Sequence, residues 1–476
     1  MRFAMSDFIF LSTQGWDEMG GAGRPLHFFA RALAQRGERV LFVQVVPQTK
    51  PVSQNNLTVL DFNALGFDET ALRRAWFGFD PRVDSKNAFA RALDDFEARD
   101  AERVVVYGDP FIPFVEWFPI FRARGYKIVY DALDDFEAFP EIGLYFTNLA
   151  AEKFLVAQSD LVVAVSTTLV QKLTQWNPRA PIQLLRQGFD ADLFRAPQPS
   201  ISTPSTERSP QRSTPPQRSI SAHGNETAFV PYRLGFWGHV NAFNIDVALI
   251  EFIARARPQW TIQLLGPIDH DANLPRVAER LRALPNVQLL GPVAHDALPE
   301  YLQTFDVALA PFPDNAFNRA RDPLKIFEYL SGYKPVVAAH TPQLAGMPYV
   351  YLADTPDAFL AALERALTTP IERAQIDAYL REGTWGKRLE QLLAWLARAR
   401  PTSDICAPEV NVWYADAALE SRARQYIART EQLLDERTQY IAALERDAAA
   451  KQQHIERLQQ TNLFWKLKSI FDQVYF

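Results

Sequence analysis

Short apolar runs alternate with amphipathic stretches along most of this chain. The first run, at 8–11, is followed by a glycine-rich loop, an amphipathic stretch at 27–36 and a second apolar run at 39–46. Apolar runs of about four to eight residues are typical of strands buried in a parallel sheet, and a period of about 3.6 residues is typical of the covering helices. This order predicts the opening of a doubly wound α/β domain.

The alternation continues to residue 195. Further runs that predict strands lie at 57–60, 104–107, 127–130, 161–165 and 182–185. Helices are predicted between them, including 85–98 and 147–157, and Ser166 is expected to begin the helix that follows the strand at 161–165. We therefore expect one Rossmann-like domain over residues 1–195.

Residues 196–230 differ in composition from what precedes them. They are mostly Ser, Thr, Pro, Gln and Arg, with few apolar residues. Such a segment cannot bury enough surface to offset its ordering entropy. We predict a disordered insert between two domains.

The α/β alternation begins again after the insert. Strands are predicted at 232–237, 261–265, 287–290, 306–310, 336–339 and 349–352, and helices at 244–255, 274–283, 296–304, 356–367, 371–381 and 384–398. This repeat predicts a second Rossmann-like domain over 231–385, of the nucleotide-binding type, followed by a helix at 386–400.

The stretch 321–340 predicts a loop, a helix, a tight turn and a strand. Pro323 fits the first helical position, and Asp322 is expected to be the N-cap. Lys325 and Glu328 are three residues apart, so they share one helix face near its N-terminus. A cation, a carboxylate and a positive helix end suit a ligand that carries phosphate and hydroxyl groups, whereas a surface ion pair is the simpler interpretation.

The loop at 15–25 is a weak match to a dinucleotide fingerprint. Its glycines stand at positions 15, 20, 21 and 23, the third glycine of the fingerprint is missing, and the second strand ends at Val46 without an acidic residue for a ribose. NAD binding is therefore disfavoured. The loop either lets a ligand approach backbone N–H groups or is a simple turn.

The C-terminal residues 401–476 change pattern once more. Residues 416–462 contain no strong helix breaker, and one apolar position repeats every seven residues from Ile427, although its partner positions are mixed. This favours a coiled coil of modest stability over a long solvated helix with one apolar stripe. The aromatic terminus at 463–476 suits a membrane interface, packing on the rest of the chain, or contact with another copy. Peripheral membrane contact and a homo-oligomer through 416–476 are thus expected.

Composition and charge exclude several classes of protein. The 50 basic and 56 acidic residues give a net charge of −6, which does not suggest a nucleic-acid partner. The single cysteine, Cys406, excludes a disulfide framework and a cysteine-based zinc site. The first apolar run is too short for a signal peptide, and no apolar run is long enough to span a membrane. We expect a cytoplasmic protein.

Several segments together resemble bacterial family 4-type glycosyltransferases (glycosyl transferases group 1), including the teichuronic-acid-biosynthesis branch. They are IVYDALDD at 128–135, the strand and its flanks at 152–166, LRQGFDADLF at 185–194, RDPLKIFEYLSGYKPVV at 321–337 and WGKRLEQLL at 385–393. Their order and spacing cover about 8–397 apart from the insert. The resemblance implies the GT-B fold, an α/β class in which two Rossmann-like domains face a cleft and a last helix crosses back to the first domain.

The resemblance also implies roles for individual residues. Glu328 matches the acid that hydrogen-bonds the ribose hydroxyls of a sugar nucleotide, and Lys325 lies where the diphosphate binds. Gly238 and the adjacent His239 lie where the backbone approaches the phosphates. The complete predicted site comprises catalytic Asp109, Lys325 and Glu328, and substrate-binding Gly20, Gly21, Gly23, Asp131, Asp134, Gly238, His239, Gly291, Val293, Arg319, Arg321, Asp322 and Leu324, with no metal ligand and no cofactor.

The chain departs from the family pattern in three places. Many relatives carry a second acid eight positions before the ribose acid, where this chain has Ala320. The cations that usually follow the first strand of the second domain are absent, and the usual histidine of the first domain is replaced by the region around Asp109. The missing charge is expected from Arg319, Arg321 and Lys325.

The resemblance implies a retaining glycosyltransferase. It is expected to move a sugar from a nucleotide sugar to a lipid-linked or other glycan acceptor in envelope or extracellular polysaccharide synthesis. Two alternatives remain. One is a non-catalytic scaffold that acts through the coiled coil, which the missing acid and cations motivate, and the other is a nucleotide-sugar epimerase of the same fold.

Overall fold

The computed structural model describes the two predicted α/β regions in detail. The described residues are 6–16, 24–48, 52, 54–67, 85–97, 101–142, 148–190, 194, 232–268, 276–400 and a few positions between 442 and 457. The chain divides into two compact units, residues 1–413 and residues 414–476, and the account below concerns the first. Gly20, Gly21, Gly23, the predicted insert and nearly all of the predicted coiled coil lie outside the described residues.

The first sheet has seven parallel strands in the order β3-β2-β1-β4-β5-β6-β7. The strands are β1 (Ser6–Ser12), β2 (Arg39–Gln44), β3 (Leu57–Asp61), β4 (Glu102–Tyr107), β5 (Lys127–Ala132), β6 (Leu161–Ala164) and β7 (Ile182–Leu184). Its helices are α1 (Arg24–Gln35), α2 (Ser85–Phe96), α3 (Ile112–Glu116), α4 (Phe118–Ala123), α5 (Leu149–Gln158) and α6 (Thr167–Trp176). Every residue of β1 is buried, which explains why its apolar run is continuous rather than alternating.

The second sheet has six parallel strands in the order β10-β9-β8-β11-β12-β13. They are β8 (Arg233–Trp237), β9 (Thr261–Leu265), β10 (Val287–Gly291), β11 (Val307–Ala310), β12 (Val336–Ala338) and β13 (Val350–Leu352). The helices are α7 (Val247–Ala256), α8 (Arg276–Arg282), α9 (Leu298–Thr304), α10 (Ala316–Ala320), α11 (Leu324–Ser331), α12 (Pro356–Thr368), α13 (Arg373–Arg381) and α14 (Trp385–Leu396).

Helix α14 packs on the first sheet although it follows the second in sequence. Its apolar residues Trp385, Leu389 and Leu392 are buried in the same hydrophobic cluster as Phe29 of α1. The Trp385 ring is stacked on Phe28, with ring centroids 5.0 Å apart. Burial of this apolar face attaches the end of the second α/β region to the first sheet.

The prediction of two Rossmann-like α/β sheets is confirmed, and each predicted strand lies within about two residues of an observed one. Ser166 accepts a hydrogen bond from the backbone N of Leu169, as expected of the N-cap of α6. Helices α3 and α4 were not predicted, because prolines and bulky aromatic residues hide their helical period. Within the described ranges, no helix combines the length and the hydropathy that a membrane span requires.

The start of α11 differs from the prediction. The helix begins at Leu324, Pro323 is its N-cap with extended ψ, and no side chain caps it. Asp322 is not the N-cap, because Arg186 and the backbone N of Gln187 donate hydrogen bonds to its carboxylate. An ion pair with a distant residue has replaced the local cap that the sequence favoured.

Candidate functional site

A cavity of about 370 Å³ lies where the carboxyl ends of the two sheets meet. The second sheet contributes the end of β8 and the start of α11, including Gly238, Lys325 and Glu328. The first sheet contributes Asp134, after β5, and Gln187, after β7. Ligands of open α/β sheets bind at this edge, because the loops that follow parallel strands converge there.

Glu328 is fixed at the cavity wall by two neighbours. Its side chain is almost fully buried on α11. The indole Nε1 of Trp237 donates a hydrogen bond to Oε2 at 3.1 Å, and His295 Nε2 lies 3.0 Å from Oε1. Trp237 is itself held, since its backbone N donates to the hydroxyl of Tyr329 at 3.0 Å. The carboxylate therefore has a defined orientation before any ligand binds.

Lys325 brings a cation to the same wall. Its Nζ lies 4.3 Å from the centroid of the Phe236 ring, within the range of a cation–π contact. Burial and then the nearby Arg321 lower the pKa of Lys325 to about 7, against the opposing influence of Glu328. Because burial disfavours its charged form, an anion in the cavity would stabilise that form.

Gly238 makes room for this ammonium group. Its φ is +136°, a conformation that side-chain-bearing residues rarely adopt. A Cβ at this position would lie 2.5 Å from Lys325 Nζ. Across the same turn, a Cβ on Gly266 would lie 2.0 Å from the carbonyl oxygen of Gly238. The turn after β8 thus requires glycine, and Lys325 occupies the space that glycine leaves.

Arg321 is a second cation of the cavity wall. Its Nη1 donates hydrogen bonds to Asn244 Oδ1 at 3.1 Å and to Asn318 Oδ1 at 3.0 Å. The guanidinium also lies 4.7 Å from the centroid of the Phe312 ring. Burial lowers the pKa of Arg321, whereas the carboxylate of Asp134 raises it. Arg321 is therefore a half-buried cation at the cavity wall, which Asp134 also lines.

The first sheet places one carboxyl group, that of Asp134, in the cavity wall, and two more lie at the ends of neighbouring strands. Asp109 Oδ2 accepts hydrogen bonds from the backbone N and the Oγ1 of Thr13, at 2.8 and 2.9 Å. Burial nevertheless raises the pKa of Asp109 to about 6. Burial, followed by the effect of Asp109, raises the pKa of Asp131 to about 7. The pKa of Asp134 is also raised to about 7, mainly by burial. Asp109 follows β4, Asp131 lies near the end of the adjacent strand β5, and the charge of Asp109 raises the pKa of both Asp131 and Asp134.

A buried ion pair joins the two halves of the cavity. Arg186 donates to both carboxylate oxygens of Asp322, from Nη2 at 2.6 Å and from Nε at 3.1 Å. The backbone N of Gln187 donates to Asp322 Oδ2 at 3.0 Å. This contact ties the segment after β7 to the residue just before α11, so that the position of α11 is fixed relative to the first sheet.

The structure brings most of the predicted site residues together. Those that line the cavity are Asp134, Gly238, His239, Arg321, Asp322, Leu324, Lys325 and Glu328. Asp109 and Asp131 are not among the lining residues, but the charge of Asp109 raises the pKa of Asp134, which is. Gly291 ends β10 and Val293 lies in the loop that leads to His295, and neither lines the cavity.

Arg319 does not supply charge to the cavity. Its exposed guanidinium binds the carboxylate of Asp314, from Nε at 2.6 Å and from Nη2 at 2.7 Å. Position 320 is a fully buried alanine, so the side chain at this position brings no acid to the cavity. Of the three cations expected at the site, only Arg321 and Lys325 are at the cavity wall.

Sequence reasoning missed several lining residues, among them Trp237, His295 and Gln187. Trp237 directly precedes Gly238 at the end of a strand, and this position was a usable signal. His295 is one of seven histidines in the chain, with nothing in its local sequence to mark it. Gln187 lies in the segment LRQGFDADLF at 185–194, directly before its glycine.

Comparisons with known proteins agree with this geometry. Residues 231–369 match the family model described as glycosyl transferases group 1. A stretch of 140 residues is 36% identical to TuaH of Bacillus subtilis (strain 168), a protein named as a glycosyltransferase of teichuronic acid biosynthesis. That match covers 28% of this chain and 34% of TuaH, so the chain matches about a third of the relative's length.

Solved structures share the two-sheet fold. The Anabaena HepE protein in complex with UDP and glucose has a TM-score of 0.57 at 15% identity, over 83% of this chain and 100% of that chain. A glycosyltransferase from Rickettsia africae gives a TM-score of 0.57 at 13% identity, over 83% and 99%. An E. coli trehalose-6-phosphate protein bound with UDP-2-fluoro glucose gives 0.55 at 12% identity, over 83% and 100%. The arrangement of the two sheets is the GT-B fold.

Proposed function

We propose that this chain, whose residues 231–369 form a glycosyl transferases group 1 domain, transfers a sugar from a nucleotide sugar to a glycan acceptor. The observation that carries the proposal is the grouping of Glu328, Lys325 and the N-terminus of α11 around one cavity. A carboxylate suits ribose hydroxyls, and a cation beside a helix N-terminus suits a diphosphate. The cavity volume of about 370 Å³ is within the range of small-molecule sites.

The reaction we propose proceeds with retention at the anomeric carbon. The bond between that carbon and the diphosphate oxygen breaks, and a bond from an acceptor hydroxyl oxygen to the same carbon forms on the same face. The acceptor proton passes to the leaving phosphate oxygen, so that a nucleoside diphosphate is released. Lys325 and the backbone N–H groups at the start of α11 stabilise the negative charge that develops on the leaving group.

We propose a lipid-linked glycan of envelope or extracellular polysaccharide synthesis as the acceptor. The support is the name of TuaH, which places that relative in teichuronic acid biosynthesis. The carboxyl group of Asp134 lines the cavity from the first sheet, where an acceptor hydroxyl would approach the donor. Transfer to a polyprenyl-linked glycan, but not to the free sugar, is the expected outcome of an acceptor comparison.

The test is transfer and hydrolysis with UDP-, GDP-, ADP- and dTDP-sugars, using Glu328→Ala and Lys325→Ala. At least one donor should be consumed by the wild-type protein, and each variant should reduce kcat/KM by about 100-fold or more, because each removes a charged contact. A scaffold would consume none of the donors. An epimerase would convert the donor without acceptor, and either result would overturn the proposal.

A further inference from the structure

Phe194 lies in the connection between the two sheets, after β7 and before β8. It is 3% exposed and belongs to the hydrophobic cluster of the second α/β region. Its ring is stacked on that of Trp237, with centroids 6.0 Å apart and planes 13° from parallel. It meets the ring of His295 nearly at a right angle, with centroids 5.8 Å apart. One aromatic ring thus contacts two residues whose side chains reach the carboxylate of Glu328.

His295 is also positioned by the chain around it. It begins the short 3-10 helix His295–Ala297, directly before α9, whose first residue Leu298 is buried. Its Nε2 lies 3.0 Å from Glu328 Oε1. An ionised carboxylate accepts hydrogen bonds and donates none, so we assign the ring proton to Nε2 from this partner. His295 then donates to the same carboxylate that receives the indole N–H of Trp237.

The orientation of the Glu328 carboxylate decides how well it can bind a ribose. The 2′- and 3′-hydroxyl groups of a ribose lie side by side, so a carboxylate binds both only if its oxygens face them. A carboxylate oxygen has more than one acceptor site, so Oε1 can accept from His295 and from a hydroxyl group. The terminal torsion of a glutamate has a broad distribution, so without His295 the donor would have to order the carboxylate on binding.

We propose that His295 and Phe194 are positioning residues of the donor site, an inference that rests on the proposed function. Phe194 holds the imidazole ring, and the imidazole N–H holds Oε1 of Glu328, so that the carboxylate meets the ribose hydroxyl groups in one orientation. Phe194 acts only through other residues, since it is not among those that line the cavity. The connection between the two sheets thereby takes part in donor binding.

The test measures by calorimetry the affinity for nucleoside diphosphates that differ only in their ribose. UDP, 2′-deoxy-UDP and 3′-deoxy-UDP are used first, followed by the same set for whichever base the donor panel selects. In His295→Ala, affinity for the ribonucleotide should fall by about tenfold. The penalty for lacking one of the two hydroxyl groups should be smaller in this variant than in the wild-type protein, because the contact is already weakened.

Two further histidine variants separate positioning from packing. His295→Gln should restore affinity to within about threefold of the wild-type protein, because its amide N–H can reach Oε1 of Glu328. His340→Ala is the matched control, since His340 does not line the cavity, and its affinity should equal that of the wild-type protein. In turnover, His295→Ala should raise KM more than it lowers kcat, since the ribose is bound in the ground state and the transition state alike.

Phe194→Leu tests the outer step and is the second variant if His295→Ala unfolds. It keeps an apolar side chain without the flat ring, so affinity for the ribonucleotide should fall by about threefold, and affinity for one deoxynucleotide should fall less. The inference is overturned if the variants weaken ribonucleotide and deoxynucleotides equally, or weaken neither. A wild-type protein that binds no nucleoside diphosphate would overturn the proposed function together with this inference, whereas binding without transfer would overturn the proposed function alone.

Discussion

Two Lys-x-x-Glu pairs with identical spacing lie on two helices of this protein, and their surroundings differ. On α14, Lys387 Nζ lies 3.3 Å from Glu390 Oε2, and the two side chains are 47% and 58% exposed. On α11, the carboxylate of Glu328 binds Trp237 and His295 in a buried setting, and Lys325 is half-buried at a cavity wall. Spacing gives each pair a shared helix face, but only the second pair lines a cavity.

The difference lies in what precedes each helix. Helix α14 is capped by Thr384, whose side chain accepts a hydrogen bond from the backbone N of Lys387. Its apolar face packs on the first sheet, so that its charged pair is left in solvent. Helix α11 has no side-chain cap, and its first turn opens into the cavity. An uncapped helix start beside a half-buried cation is suited to an anion, because no side chain caps its first backbone N–H groups.

The largest change in donor affinity is expected from Gly238→Ala, which alters the turn beside Lys325. The new Cβ would displace the Lys325 ammonium and would strain a backbone with φ of +136°. We expect donor affinity to fall by about 100-fold or more, measured by calorimetry. Gly346→Ala is the matched control, since Gly346 has a φ of +79° with open space around it, and its donor affinity should be unchanged. Equal affinities for the wild-type protein and Gly238→Ala would contradict this account of the turn.

A smaller effect is expected from pH. The pKa of Lys325 is lowered to about 7, and a bound diphosphate would raise it, so that binding above pH 7 requires uptake of a proton. Affinity for the nucleoside diphosphate should therefore fall by up to about tenfold per pH unit above pH 7. Calorimetry in two buffers of different ionisation enthalpy measures the protons taken up.

Lys325→Arg separates this effect from other titrations in the cavity, such as that of Asp134. An arginine stays charged across the range, so its profile should be flatter than that of the wild-type protein. A wild-type protein that takes up no protons between pH 7 and pH 8.5 would show that Lys325 is already charged without ligand.

The smallest effect is expected from the exposed pair. A double-mutant cycle with Lys387→Ala and Glu390→Ala should give a coupling free energy of roughly 0.2–0.5 kcal/mol from denaturant unfolding. Transfer activity should not change, because neither residue lines the cavity. A measurable loss of donor affinity in either variant would remove the distinction between the two helices.

The sequence predicts the alternation of strands and helices well, because buried parallel strands are short apolar runs whatever surrounds them. It fails where distant residues override a local rule. Asp322 was expected to cap α11, but Arg186, 136 positions earlier, binds its carboxylate. Trp237 stands 91 positions before Glu328, and only the packing of β8 beside α11 brings them together.

Residue spacing predicts that Lys325 and Glu328 share a helix face, and the family resemblance predicts their roles. Lys325 and Glu328 could be placed on one helix face from the sequence alone, but the exposed pair on α14 has the same pattern. The two pairs differ in burial, and a single sequence does not show which residues are buried. The glycine loop, the coiled coil, the membrane contact and the oligomer remain predictions, since they fall wholly or mainly on residues that are not described.

Calorimetric titration of nucleotide sugars tests the central claim most directly. Glu328→Ala and Lys325→Ala are compared with Glu390→Ala and Lys387→Ala, which make the same changes at the same spacing on another helix. We expect the wild-type protein and the α14 variants to bind one nucleotide sugar equally well, and the α11 variants to lose about 100-fold or more. Equal binding by all five proteins, or no binding by the wild-type protein, would contradict the assignment of this cavity as the donor site.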